Sequence, residues 1–415
     1  MEFSYRCTEC ERSFDITPDL MLCPYCSAQQ ADGQPLRGLL EVHLEHSPGR
    51  DVSGRGHLDL ASLLDGSPPG VRLLPVDERH FPAVPFAPTP LWAPERLRAK
   101  LGLPHLFIKD DTGLPTGSLK DRASMLVAAF AREHGIGKIV VASTGNAASS
   151  MAGIGAAAGL VVTIFVPSSA PRAKLVQCLQ YGAEVQLVDG TYDDAYAASL
   201  AYERKHGGLC RNTGYNPMTT EGKKTVALEI AAQLGRAPDH VFVPTGDGVV
   251  LGGVYKGFED LVRLGLVDKV PTVHAVQATG SNAIARAMKA RPDRDGFAGP
   301  TDHSQQANTI ADSIAVRVPA NGYGAVRKLR AHEGRCVEVT DEQILAAQHE
   351  LAKMTGVFAE PAAAASYAGL LVSSAGIAEH ETVVIMATGT GLKDVDAASR
   401  AIDLPGEHHL TGGSA

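Results

Sequence analysis

The sequence predicts an α/β protein with two open parallel-sheet domains, one inserted in the other, behind a small cysteine-bearing unit. Three observations carry that expectation. Short Val/Ile-rich runs alternate with helix-period segments from about residue 105 to residue 390. Gly/Ser/Thr loops recur where a run gives way to a helix, as in STGNAAS (143–149) and PTGDGVVLGG (244–253). Four of the seven cysteines fall in the first 26 residues, as CTEC and CPYC.

The chain has 415 residues, 44% hydrophobic and 20% charged, enough apolar material for two or three compact domains. The formal net charge is -8 and no Lys/Arg stripe appears, which argues against a nucleic-acid partner. An anionic ligand would be held by local positive groups. The most apolar run, Val161 to Pro167, is far too short to span a bilayer. The start, MEFSYRCTEC, lacks a charged head and an apolar run, so a cytoplasmic location is expected.

In chain order, residues 1–30 read as a zinc-ribbon-like unit. Cys7, Cys10, Cys23 and Cys26 form two CxxC pairs, each on a tight turn that aims two thiolates at one ion. Four thiolates leave no open position for water, so the expected zinc is structural. Residues 31–95 show no regular pattern, and FPAVPFAPTPLW reads as an extended surface segment. Strands are then expected at 106–111, 138–143, 160–167 and 184–188, with helices at 119–135, 147–158, 171–181 and 193–206. A second series follows: helix 220–234, strand 240–244, helix 251–264, strand 272–277 and helix 282–289. An irregular stretch to about 320 precedes helix 322–333, strand 336–339, helices 341–355 and 361–375, and strand 382–387. Near-continuous Val/Ile content in the strands fits sheets covered on both faces. The reading gives a large domain of residues 31–115 and 211–400, an inserted domain of 116–210, and a polar, disordered tail at 401–415.

Four loops carry the chemistry. In PTGSLKDR (115–122), Ser118 is a good N-cap and Lys120 lies in the first helical turn. The helix dipole disfavours a cation there and shifts the amine toward its neutral, nucleophilic form. In STGNAAS, hydroxyls and free backbone N–H groups meet at a helix start, a seat suited to a carboxylate. PTGDGVVLGG lets backbone wrap an anion closely, yet it is neither a Walker A nor a dinucleotide sequence. Its Asp247 is expected to turn out and cap the loop. In MATGTGLKD (386–394), the Thr388 hydroxyl can meet a heterocyclic nitrogen. A lysine, two anion loops at strand C-termini and a ring-nitrogen partner are what pyridoxal 5'-phosphate (PLP) needs.

These motifs resemble the fold-type II PLP family that includes threonine synthase, threonine dehydratase and cysteate synthase, over about residues 80–400. The similarity is greatest to threonine synthases with an N-terminal cysteine-rich ribbon. It implies a tryptophan synthase β-subunit-like fold and a homodimer working on a small amino acid. It further implies that Lys120 holds PLP as a Schiff base and removes the α-proton. Asn146 would sit beside the cofactor's 3-hydroxyl. Ser143, Thr144 and Ala147 would hold the substrate carboxylate. Gly246, Asp247, Gly248, Val249 and Val250 would cradle the phosphate, and Thr388 would meet the pyridine nitrogen. KLVQ (174–177), EPAAAAS (360–366) and GLKD (391–394) resemble further family segments. Two departures stand out. The family's substrate-phosphate arginine falls at Thr219 in NPMTTEGKKT (216–225), leaving Lys223 and Lys224 to compensate. GDGVVL replaces the family's GNxGN-like loop. The implied reaction is conversion of O-phosphohomoserine to threonine and phosphate. The alternative is β-elimination or β-replacement on serine, threonine or phosphoserine-type amino acids, which the missing arginine favours.

Overall fold

The computed structural model describes residues 2–45, 58–170, 172–290 and 307–402. The expected tail at 401–415 lies outside them from residue 403 on, as does residues 291–306 of the irregular stretch. The side chain of Lys174 in KLVQ is outside them too.

At the N-terminus, β1 (Glu2–Cys7), β2 (Ser13–Phe14) and β3 (Leu40–Glu45) form an antiparallel sheet in the order β2-β1-β3. Leu40, Val42 and Leu44 are buried while the residues between them are not, the period-2 pattern of a half-covered strand. β3 pairs with β1 along its whole length, from Glu2↔Glu45 to Cys7↔Leu40. The sheet that carries the cysteines therefore reaches residue 45, and a boundary at residue 30 would separate paired strands.

The chain next lays down β4 (Leu91–Trp92) and β5 (Leu106–Asp110). It then leaves for a four-stranded sheet of β6 (Lys138–Ala142), β7 (Val161–Pro167), β8 (Glu184–Val188) and β9 (Leu209–Cys210), all parallel in the order β8-β7-β6-β9. It returns with β10 (His240–Pro244), β11 (Thr272–Ala278), β12 (Arg335–Val339) and β13 (Val383–Ala387). Those strands complete a six-stranded sheet, β12-β11-β10-β13-β5-β4, in which β4 alone runs antiparallel. β10 and β13 are buried at every residue, as a sheet covered on both faces requires. The two-residue β9 was not expected from the sequence.

One expected helix is two. Met218–Lys223 and Thr225–Leu234 meet at Lys224, where the Thr225 hydroxyl donates to Gly222 O at 2.9 Å. A Cβ at Gly222 would come within 2.4 Å of Arg122 O, so only glycine allows this backbone to lie against the helix Lys120–Glu133. A buried ionic network ties the same helix down further. Arg122 donates to Asp111 through Nε and Nη2, both at 2.8 Å, and to Glu229 Oε1 through Nη1 at 2.5 Å. Lys109 Nζ donates to Glu229 Oε2 at 2.6 Å and to Thr89 O at 2.8 Å. Two cations against two carboxylates, with hydroxyl and carbonyl partners, satisfy the pairing that buried charges demand. No helix among the described residues is long and apolar enough to cross a membrane.

Candidate active site

Three irregular segments knit together around Lys120. Leu119 N–H donates to Thr388 O at 2.8 Å, Thr390 N–H to Gly117 O at 3.0 Å, and Glu360 N–H to Gly389 O at 2.9 Å. The stretch after β13 is thus held between the turn before Lys120 and the start of the helix Pro361–Ser373. Asp121 fixes that turn by accepting from Thr116 N at 2.7 Å and Thr116 Oγ1 at 2.5 Å. Lys120 is the first residue of its helix. The cap expected at Ser118 is not made: Leu119 is the cap residue, and the buried Ser118 Oγ has no hydrogen-bond partner among the described residues. The helix starts one residue later than a Ser118 cap would require, leaving Ser118 just before the cap position.

Burial pushes the Lys120 amine below the usual lysine range; Asp247 and Glu360 pull it back up, and Arg211 opposes them. Burial likewise raises the Glu360 carboxyl, against the Asn146 amide and the Lys120 charge. Asn146 Nδ2 donates to both Glu360 oxygens at 3.0 Å, and Ser313 Oγ donates to Oε2 at 3.4 Å. The helix Asn146–Ala158 opens at the STGNAAS loop, where Ser143 Oγ accepts from Gly145 N at 3.2 Å. Ser143, Thr144 and Ala147 are all partly exposed beside the buried Asn146.

The second loop lies at the end of β10. A Cβ at Gly246 would stand 2.9 Å from Ile314 Cα, and one at Gly248 (φ 79°) 2.9 Å from Asn321 O. Backbone fills this cradle so closely that side chains are excluded, and the helix Val249–Arg263 starts there with Val249 and Val250 in its first turn. Asp247 caps the loop: Oδ1 accepts from Val249 N at 2.9 Å, and its carbonyl accepts from Asn321 N at 2.8 Å. Its charge nevertheless acts on Lys120, Arg211 and Lys223. Thr388 is buried at the end of β13.

The Thr219 side chain is buried and committed to the backbone, accepting from Gly214 N at 3.1 Å and donating to Asn216 O at 2.7 Å. Of the two lysines left to compensate, Lys224 is spent: it pairs with Glu221 and with Asp260 at 2.9 Å, and donates to Leu73 O at 2.8 Å. Lys223 is fully buried, with no hydrogen-bond partner for its amine among the described residues.

At the N-terminus the sulfurs of Cys7, Cys10, Cys23 and Cys26 all lie within 4.8 Å of one another. Cys7 and Cys26 are 3.8 Å apart, Cys10 and Cys23 3.7 Å. A tetrahedron with metal–sulfur bonds of about 2.3 Å has edges of about 3.8 Å, so the cluster fits a tetrathiolate metal.

The family model for pyridoxal-phosphate dependent enzymes matches residues 84–389. The chain belongs to that family. It is 34% identical to a threonine synthase of Methanosarcina acetivorans over 401 residues, covering 94% of this chain and 92% of that protein. It is 33% identical to a threonine synthase of Methanocaldococcus jannaschii, covering 96% and 95%. Among solved structures, the processed threonine deaminase isoform 2 of Solanum lycopersicum superposes with a TM-score of 0.64 at 23% identity, covering 76% of this chain and 88% of that one. Maize serine racemase superposes at 0.61 and 21%, covering 73% and 88%. These likenesses establish the fold-type II architecture of a PLP-dependent enzyme.

The residues of this PLP enzyme fit the cofactor: a buried amine of lowered basicity, a side-chain-free cradle at a helix start, and buried polar atoms without partners around both. When bound, PLP supplies the electron sink that lets an amino acid lose its α-proton. Sequence reasoning left several neighbours out of the site. Glu360 lay in a segment noted only as similar to the family, and Arg211 is a single charge after an unrecognised strand. Lys393 of GLKD donates to Ser149 Oγ at 2.9 Å and Gln177 Oε1 at 2.7 Å, bridging to the inserted segment. Its place after a strand-end Gly/Thr loop was the available signal.

Proposed function

We propose that this PLP enzyme is a carbon–oxygen lyase that carries out β-elimination or β-replacement on a small serine, threonine or phosphoserine-type amino acid. The observation that carries the reading is Thr219. Its hydroxyl is committed to Gly214 and Asn216, so no guanidinium stands where a threonine synthase would hold the phosphate of O-phosphohomoserine. In this reading Lys120 holds the cofactor and, once displaced by the substrate amine, takes the proton from the α-carbon. The loop of Ser143, Thr144 and Ala147 seats the substrate carboxylate, with Asn146 beside the ring hydroxyl. Gly246, Asp247, Gly248, Val249 and Val250 hold the phosphate, and the neutral Thr388 meets the ring nitrogen. A neutral partner there gives a modest sink, which suits elimination and replacement. Lys223 contributes on the substrate side. The cysteine cluster holds a structural zinc, and the working form is a homodimer, which sedimentation at assay concentration tests.

A second reading, threonine synthase, is supported by the sequence relatives and by the cation at Lys223. A panel of serine, threonine, phosphoserine and O-phosphohomoserine separates the two. Ammonia and a keto acid from a three- or four-carbon hydroxyamino acid support the proposal. Rapid formation of threonine and phosphate from O-phosphohomoserine would replace it with the second reading.

A further inference from the structure

Buried cations are normally paired, because an unpaired charge withdrawn from water is costly. Lys109, Arg122, Lys224 and Lys256 of this chain all obey that rule. Two cations do not. Arg211 and Lys223 are both fully buried. Arg211 uses one nitrogen on Thr213 Oγ1, at 2.6 Å, while its Nε and Nη2 have no hydrogen-bond partner among the described residues. The Lys223 amine has none either.

We propose that Arg211 and Lys223 form a cationic clamp for a tetrahedral oxyanion, set beside Lys120 and next to the helix that starts at the Gly246–Val250 cradle. Both cations are held by well-fixed backbone. The Arg211 N–H donates to Val140 O at 2.8 Å, which extends the β6–β9 ladder one residue beyond β9, toward the C-terminal edge where ligands of parallel sheets bind. Lys223 ends its short helix, and a Cβ at Gly253 would lie 2.8 Å from Lys223 Cβ, so glycine is what lets the lysine lie against the cradle's own helix. Asp247 on the cradle and Lys120 at its helix start share the field of Lys223, with Arg211 adding to it. Burial pushes Arg211 down to about 10 and Lys223 well below the usual lysine range, with Asp247 alone among these neighbours pulling Lys223 back. A bound oxyanion would reverse that push on both. Arg211 offers two adjacent N–H donors and Lys223 a point charge, a pairing suited to phosphate or sulfonate.

The oxyanion has two sources with the same chemistry: the 5'-phosphate of PLP, or a phosphate or sulfonate on the substrate of the lyase reading above. Binding measurements on Arg211→Met and Lys223→Met separate them without relying on turnover. In one arm, apoprotein is titrated with PLP and with pyridoxal, which lacks the phosphate. In the other, inorganic sulfate and phosphate are titrated into holoenzyme by calorimetry. A loss of at least tenfold in the preference for PLP over pyridoxal assigns the clamp to the cofactor. A loss of at least tenfold in oxyanion affinity of the holoenzyme assigns it to the substrate. Arg211→Lys should recover part of either loss, because it keeps the charge. Both arms unchanged within about twofold overturn the clamp, even if the enzyme proves to be a lyase. Conversely, a protein that turns over no hydroxyamino acid still tests the clamp through both arms. As a structural control, ligand-free Lys223→Met should melt no lower than the parent, because it removes an unpaired buried charge. A much lower melting temperature would overturn the reading of Lys223 as unpaired, and with it the clamp.

Discussion

Asn146 and Glu360, 214 residues apart in the chain, face each other with one amide nitrogen 3.0 Å from each carboxylate oxygen. The pair joins the helix start after β6 to the helix start before β13, directly beside Lys120. Asn146→Ala strips a buried carboxylate of its main donor and should cost about 1–3 kcal/mol of stability. Urea unfolding measures it, and an unchanged midpoint would contradict the bond.

Gly389 backs that carboxylate. A Cβ at Gly389 would fall 2.7 Å from Glu360 Oε1 and 2.8 Å from Cδ, so Gly389→Ala must displace the acid. A shift of about 1 Å at such a site costs roughly 10²-fold in rate. We expect kcat on the best substrate of the panel to fall by that order while PLP content per chain stays near that of the parent. Full activity would show that the position of Glu360 does not matter to the chemistry.

The basicity of Lys120 can be moved in a known direction. Asp247 is the foremost charge that favours its ammonium form, so Asp247→Asn should lower the amine's pKa further. The neutral, nucleophilic form then prevails at lower pH. The rate at which apoprotein captures PLP, followed by absorbance across pH, should have an inflection below the usual lysine range in the parent and lower still in the variant. Borohydride reduction of holoenzyme and peptide mapping should place the label on Lys120; a label on Lys223 would remove Lys120 from its role.

Cys23→Ser should release the metal and loosen more than the ribbon. Leu36 N–H donates to Ala320 O at 3.1 Å, and the next residue, Asn321, holds both Asp247 O and Gly248 O. We expect loss of zinc by elemental analysis, an unshifted cofactor absorbance band and a PLP Kd several-fold higher. Retained zinc would refute the ligand set, and an unchanged Kd would refute the linkage.

His274 sets an acid limit. Burial first, then His240 and Arg335, hold its pKa down to about 3. Its ring stacks on Phe242 at 4.1 Å and lies 3.1 Å from His240 Nδ1. Above about pH 6.5 neither the folded nor the unfolded chain protonates it, and its contribution to stability is fully present. As pH falls toward 3 the unfolded chain gains the proton first and stability is lost, by about 2 kcal/mol at pH 5. Unfolding free energies at pH 7 and 5 should converge in His274→Gln; an equal loss in both proteins would exclude His274 as the source.

The parallel strands were readable because burial on both faces writes continuous Val/Ile runs, as in β7 and β10. The four cysteines were readable because chelation requires a spacing. β3 was not: LEVHLE alternates, but its partner lies more than thirty residues back and the intervening chain is rich in turn residues. The break at Lys224 was hidden because both halves keep helical period; the cause is the close approach of Gly222 to Arg122 O, a tertiary fact. Lys223 was readable as a cation that could compensate for Thr219, but Arg211 was not singled out, since a sequence shows charge but not whether a partner is present. Thr219 was readable as a missing charge, yet its commitment to Gly214 and Asn216 emerges only in three dimensions.

The ionic network at Arg122 bears on how the protein could be divided. By residue number, Arg122 and Lys120 belong with the inserted segment, but Arg122 is neutralised by Asp111 and Glu229 from either side of it in the chain. A fragment cut out at residues 116–210 would carry that guanidinium away from both carboxylates and leave Lys109 alone against Asp111 and Glu229. Neither piece would be a balanced folding unit. The helix that starts at Lys120 is therefore tied to the six-stranded body through Arg122, and to the STGNAAS helix through the hydrogen bond from Ser150 Oγ to Ser124 Oγ at 2.7 Å, so Lys120 sits on the element that joins the two sheets.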